Sequence, residues 1–114
     1  MSDRDAVSPA GRIAVIPARG GSKRIPRKNV RSFAGRPMIA HAIELARRSG
    51  LFEHVVVSTD DAEVAQVARE WQAEVPFMRP PELADDHTPT LPVVAHAVQR
   101  VLDLGWQVHQ ACCI

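Results

Sequence analysis

An α/β fold built on a parallel sheet with crossover helices is what this 114-residue sequence predicts. Three observations carry that reading. Short apolar runs recur, Ile13-Ala14-Val15-Ile16 and Val55-Val56-Val57, each too short for a helix. Between and after them lie longer stretches with apolar residues at i, i+3, i+4 and i+7. The two kinds of segment alternate, and alternation of this sort joins parallel strands through crossover helices.

Taken in order, residues 1–11 lack an apolar core and read as a flexible N-terminal tail, not a signal peptide. Residues 12–17 are apolar after Arg12 and end in Pro17, the pattern of a short buried strand. Pro37 stands where a first helical turn tolerates proline. Ile39, Ala42, Ile43 and Ala46 then form one stripe, Arg47 and Arg48 suit the negative end, and Gly50 stops the helix. Val55–Val57 is a second strand. Asp60, three residues before Glu63, predicts the cap of a second helix whose stripe is Val64, Val67, Ala68 and Trp71. A short extended piece over 74–78 leads into a Pro-rich segment from Arg79 to Pro92. A third helix follows, with Val94, Ala97, Val98 and Val101 inward and its end near Gly105. His109–Ile114 begins another apolar strand. Its lack of a turn residue or polar stop predicts that residues 12–114 are the N-terminal part of a longer domain.

Bulk properties exclude several functions. With 46% hydrophobic and 24% charged residues, the chain has the composition of a globular domain. Its formal net charge of +1 provides no global field for nucleic acid or an anionic membrane, and no run is long enough to span one. Phe33 alone among the aromatic residues lies near the basic segment, which argues against a base-stacking platform. Cys112 and Cys113 are adjacent, with neither a disulfide framework nor a zinc spacing, and read as small residues on a buried strand. Cytoplasm is the expected compartment.

Against this balanced background stands one stretch, Ala18-Arg-Gly-Gly-Ser-Lys-Arg-Ile-Pro-Arg-Lys-Asn29. It holds both lysines of the chain, Lys23 and Lys28, and no acidic residue. Extended to Arg36, it contains seven of the 14 basic residues. About twenty residues separate the first strand from the first helix, where connections of two to six are usual. Gly20 and Gly21 permit close backbone approach, and successive N–H groups of such a turn form an anion nest. Ser22 adds a hydroxyl, Lys23 and Lys28 add point charges, and Asn29 offers a donor and an acceptor to a base edge. Neither G-x-x-x-x-G-K-[ST] nor G-x-G-x-x-G occurs. A phosphorylated small ligand is the favoured reading. The alternatives are a solvated basic loop and a non-catalytic module that binds anions or nucleic acid.

Segments leaving the carboxyl ends of parallel strands line the ligand crevice. Here these are the basic loop, Ser58-Thr59-Asp60, and Arg79 onward, and all three should meet at one edge.

Ile16-Pro-Ala-Arg-Gly-Gly-Ser-Lys-Arg-Ile-Pro-Arg-Lys-Asn29 resembles the signature of the acylneuraminate cytidylyltransferases, the CMP-sialic acid synthetases. The resemblance continues through Val55-Val-Val-Ser-Thr-Asp-Asp61 and Glu74-Val-Pro-Phe-Met-Arg-Pro-Pro-Glu-Leu-Ala-Asp-Asp86, over nearly all of 12–114. Arg24, Phe-Met-Arg-Pro-x-Glu-Leu and the Cys-Cys-Ile ending make it most similar to the pseudaminic acid cytidylyltransferases. The resemblance implies a Rossmann-like sheet of the nucleotide-diphospho-sugar transferase type, here incomplete at the C-terminus. It implies that the hydroxyl of a nine-carbon 2-keto sugar acid attacks the α-phosphate of CTP, giving CMP-sugar and pyrophosphate. Transfer to Kdo, another 2-keto acid, is a close relative of this reading.

By the same match, Arg19, Gly20, Gly21, Ser22 and Lys23 hold the triphosphate, Lys28 stabilises charge at the reacting phosphate, and Asn29 faces cytosine. Lys23 and Lys28 are the implied catalytic residues, and Arg79 and Thr90 match further CTP-contacting positions. The implied Mg²⁺ ligands and much of the sugar pocket fall beyond Ile114, so the 114 residues alone are expected to be inactive. A homodimer is implied for the whole enzyme, with no nucleic-acid or membrane partner.

Other polar residues have simpler readings. Asp60 and Asp61 serve as helix caps, and Asp85-Asp86-His87-Thr88 as part of a flap. His41, His54, His96 and His109 show no metal-ligand spacing and read as surface or packing histidines. Trp71 and Trp106 read as core.

Overall fold

The structure is a computed structural model that describes residues 10–18, 32–33, 36–83 and 89–114. Among these, the elements are β1 (Arg12–Pro17), β2 (Ser32–Phe33), β3 (Arg36–Pro37), α1 (Met38–Ser49), β4 (His54–Ser58), α2 (Ala62–Glu70), a 3-10 turn over Pro81–Leu83, α3 (Thr90–Asp103) and β5 (Gln110–Cys113). The predicted α/β class is correct. β4, β1 and β5 form a parallel sheet in that order, with Ala14 opposite Val55 and Cys112. β2 and β3 make a small separate antiparallel pair.

β1 is central, and Ile13, Ala14 and Val15 are fully buried. A parallel strand covered on both faces needs apolar residues at consecutive positions, which is why 13–16 read as an unbroken run. Its alternation divides the core. Ala14 and Ile16 join Val55, Val57 and the inner residues of α1 and α2. Ile13 and Val15 join Val56, Phe77 and the α3 residues Ala97 and Val101. Each buried Ile or Val contributes about 1.5–3 kcal/mol relative to exposure.

The helices follow their predicted stripes with local differences. In α1, Ile39, Ala40, Ile43 and Ala46 are buried, and Gly50 ends the helix at φ +69° with its N–H on the Arg47 carbonyl. α2 is capped by Asp61 where the sequence favoured Asp60. Asp61 Oδ1 accepts from the Glu63 and Val64 N–H groups at 2.8 and 3.0 Å. Glu63 is therefore one position too early for a capping box. α3 begins at Thr90, inside the segment expected to be irregular, because the first-turn N–H groups have no intrahelical partner and Pro92 loses nothing there.

The piece over 74–78, expected to be extended, forms among the described residues a single parallel bridge, Glu74 to Val56, and bends at Phe77. Trp71 and Trp106 pack half-buried against the two core clusters. The cysteines depart from expectation. All four residues of β5 are exposed, Cys112 and Cys113 among them. β5 pairs with β1 along one edge only, so an apolar sequence alone does not bury it. The predicted tail lies outside the described residues up to residue 9. Gly11 is buried, with its N–H on Glu53 Oε1 at 2.8 Å.

Candidate functional site

The carboxyl ends of β1 and β4 lie side by side, since Pro17 pairs with Ser58. Ala18 continues the pairing by donating its N–H to the Ser58 carbonyl at 2.9 Å, and it is 1% exposed. The basic loop starts at the next residue. Arg19, Gly20, Gly21, Ser22, Lys23, Lys28 and Asn29 lie outside the described residues, but the root of their loop is fixed at this edge.

β4 ends at Ser58, and Ser58 and the following Thr59 are both fully buried. Burying a hydroxyl is costly unless it is bonded, and both are. Thr59 Oγ1 accepts from the Asp61 N–H at 3.1 Å, which holds the cap of α2 in place. The Thr59 carbonyl accepts from the Arg79 N–H at 2.8 Å. Thus the predicted convergence occurs for every described segment: Ala18, Ser58-Thr59 and Arg79 meet within hydrogen-bonding distance.

Arg79 is 4% exposed and is no solvated loop arginine. Its Nε donates to Ser58 Oγ at 3.1 Å, its Nη2 to the Ser58 carbonyl at 2.6 Å, and its Nη1 to the Leu83 carbonyl at 3.3 Å. The guanidinium thus places a permanent positive charge at the carboxyl edge. Thr90, the first residue of α3, is exposed and follows the extended Pro89. It makes none of these contacts. The segment Asp85-Asp86-His87-Thr88 lies outside the described residues.

Two residues near Arg79 read from sequence only as a strand-end hydroxyl and a surface or packing histidine. Ser58 gives only a weak signal, a hydroxyl directly after a β-branched run. His96, one face of α3 away, meets Phe77 edge-on at 5.3 Å between centroids. Its buried Nδ1 has no hydrogen-bond partner among the described residues. Burial, then the charges of Arg100 and Arg79, hold its pKa below the ordinary histidine value, against a smaller opposing effect of Glu82.

Of the remaining histidines, His54 packs against a ring. At the opposite, amino edge of the sheet His54 stacks on Trp106, 3.9 Å between centroids, and donates from Nδ1 to Glu74 Oε2 at 2.5 Å. An open cleft of about 350 Å³ there is lined by residues including Gly11, Glu53, His54 and Trp106. It is remote from the carboxyl ends where ligands of parallel sheets bind. Among the described residues no three His, Cys, Asp or Glu side chains group to hold a metal ion.

The family model described as Cytidylyltransferase matches residues 13–105. The pseudaminic acid cytidylyltransferase of Campylobacter jejuni is 43% identical over 102 residues, covering 90% of this chain and 44% of that protein. The CMP-N,N'-diacetyllegionaminic acid synthase of Legionella pneumophila is 49% identical over 98 residues, covering 86% and 39%. Among solved structures, a CMP:2-keto-3-deoxy-manno-octonic acid synthetase complexed with CTP superimposes with a TM-score of 0.67 at 30% identity, over 80% of this chain and 36% of that one. The chain therefore spans less than half the length of these relatives, and its sheet and helices are those of the nucleotide-diphospho-sugar transferase fold. With the family model covering most of its length, from the first core strand to the end of α3, the chain belongs to the cytidylyltransferase family.

Proposed function

We propose that this chain carries the nucleotide-binding half of a site that transfers CMP from CTP to a nonulosonic acid of the sialic type, with pseudaminic acid the favoured substrate. The observation that carries it is the basic loop rooted at Ala18, beside the buried cation Arg79, in a chain matched to cytidylyltransferases. The sugar hydroxyl attacks the α-phosphorus. A P–O bond to the sugar forms, the hydroxyl proton is released to solvent, the bond to the bridging oxygen breaks, and pyrophosphate leaves with the electron pair. Positioning and charge stabilisation supply most of such a rate enhancement.

Arg19, Gly20, Gly21, Ser22 and Lys23 cradle the triphosphate, and Lys23 and Lys28 offset charge gathering on the leaving and reacting phosphates. Asn29 faces cytosine, Arg79 contacts a phosphate or the base, and Thr90 is a further contact to CTP. A divalent ion would supply charge neutralisation in chemistry of this kind. We further propose a cytoplasmic enzyme, where CTP is made, acting as a homodimer. No helix among the described residues is long and apolar enough to cross a membrane.

Calorimetric titration with CTP, UTP, CTP-free buffer and single-stranded RNA tests this reading. Saturable binding with CTP preferred over UTP is expected. RNA binding that falls steeply with salt, with no preference for CTP, would overturn it.

A further inference from the structure

Both donors on one edge of the Arg79 fork, Nε and Nη2, end on a single residue: Ser58 Oγ at 3.1 Å and the Ser58 carbonyl at 2.6 Å. A third contact, Nη1 to the Leu83 carbonyl at 3.3 Å, holds the far side of the plane. A guanidinium is long and rotamer-rich when free. Gripped at two atoms of one fully buried residue, it is held in one orientation before any ligand arrives. The same Ser58 carbonyl accepts the Ala18 N–H, so one oxygen ties the cation to the root of the basic loop. Ser58 lies in a strand of the central sheet, where the backbone has no freedom to drift.

We propose that Ser58 is a positioning residue of the nucleotide site: its hydroxyl and carbonyl preorient the Arg79 guanidinium and register it against the start of the basic loop. This rests on the CTP-binding reading above. It assigns Ser58 no contact with the nucleotide; the effect passes through Arg79. Preorganisation of this kind raises affinity by removing an ordering cost from the binding step.

The test pairs CTP titration with the NMR signal of the Arg79 Nε–H in the ligand-free chain, for wild type and Ser58→Ala, Ser58→Cys and Ser58→Thr. Alanine removes the acceptor, cysteine keeps the size but accepts weakly, and threonine keeps the hydroxyl. The wild-type chain is expected to show a solvent-protected Nε–H. Ala and Cys should lose that protection and weaken CTP about tenfold, the scale of one hydrogen bond to a charged group. Threonine should restore both. If Ser58→Ala does not fold, the Cys and Thr pair carries the comparison. If wild type binds CTP and the hydroxyl-deficient variants bind it equally well, the positioning role fails while the nucleotide reading stands. If wild type shows no CTP binding, the nucleotide reading fails and the positioning role with it.

Discussion

Replacing Arg79 with lysine keeps the charge and removes the planar fork, which isolates what the fork does. The guanidinium spends three N–H groups on two carbonyls and one hydroxyl, at 2.6, 3.1 and 3.3 Å. An ammonium is a point donor on a shorter reach and can hold one of the Ser58 atoms well, not both with Leu83 besides. The 3.3 Å contact is long and contributes little. The Ser58 carbonyl keeps its bond from the Ala18 N–H. The loss from these contacts is therefore at least one hydrogen bond to a charged group in a buried setting, about 2 kcal/mol. That is a factor of about 30 in the folding equilibrium and a fall in Tm of roughly 10 °C for a domain of this size. Urea denaturation followed by circular dichroism measures it as a lower midpoint at unchanged slope. A midpoint within about 0.5 kcal/mol of wild type would refute the bidentate grip, since exposed arginines tolerate this exchange.

Three further outcomes follow from the same geometry. Asp61→Ala should destabilise the chain by about 1 kcal/mol through loss of two first-turn bonds, and Asp61→Asn by much less; urea midpoints in which Asp60→Ala costs more would return the cap to Asp60. Cys112 and Cys113 should both react with Ellman's reagent without denaturant, Cys113 more slowly because partial burial and then the neighbouring Cys112 push its pKa up; thiols that appear only on unfolding would contradict the exposed strand. Folded His96 titrates below the ordinary value of 6.5, so as pH falls from there the unfolded chain binds more protons than the folded one. Its contribution to stability is full above that value and lost as pH falls through the lowered folded value. His96→Asn should flatten the loss of urea midpoint between neutral and mildly acid pH, and an unchanged slope would exclude His96 as its source.

What sequence made legible was set by local spacing. The β1 boundaries, the α1 stripe with its Gly50 stop and the α3 stripe all follow from residues within a few positions of one another. The departures come from pairings made at a distance. Asp61 displaces Asp60 as cap because Thr59 Oγ1 holds its N–H while the Thr59 carbonyl is bound to Arg79, twenty positions on. The cysteines lie on an edge because sheet order, which no local pattern encodes, puts β1 on only one side of β5. The match marks Arg79 as a CTP-contacting position, but only the fold shows Ser58 beside it. The basic loop is the reverse case: its motif is plain in sequence, and only its root at Ala18 falls within the described structure.

The most direct test of the central claim, that the loop rooted at Ala18 binds the triphosphate of CTP, is calorimetric titration of the chain with CTP beside its Lys23→Ala variant. Saturable binding weakened at least tenfold by the substitution is expected, the scale of one lost charge-assisted bond to phosphate. Equal affinity in the two proteins, or none for CTP in wild type, would contradict it.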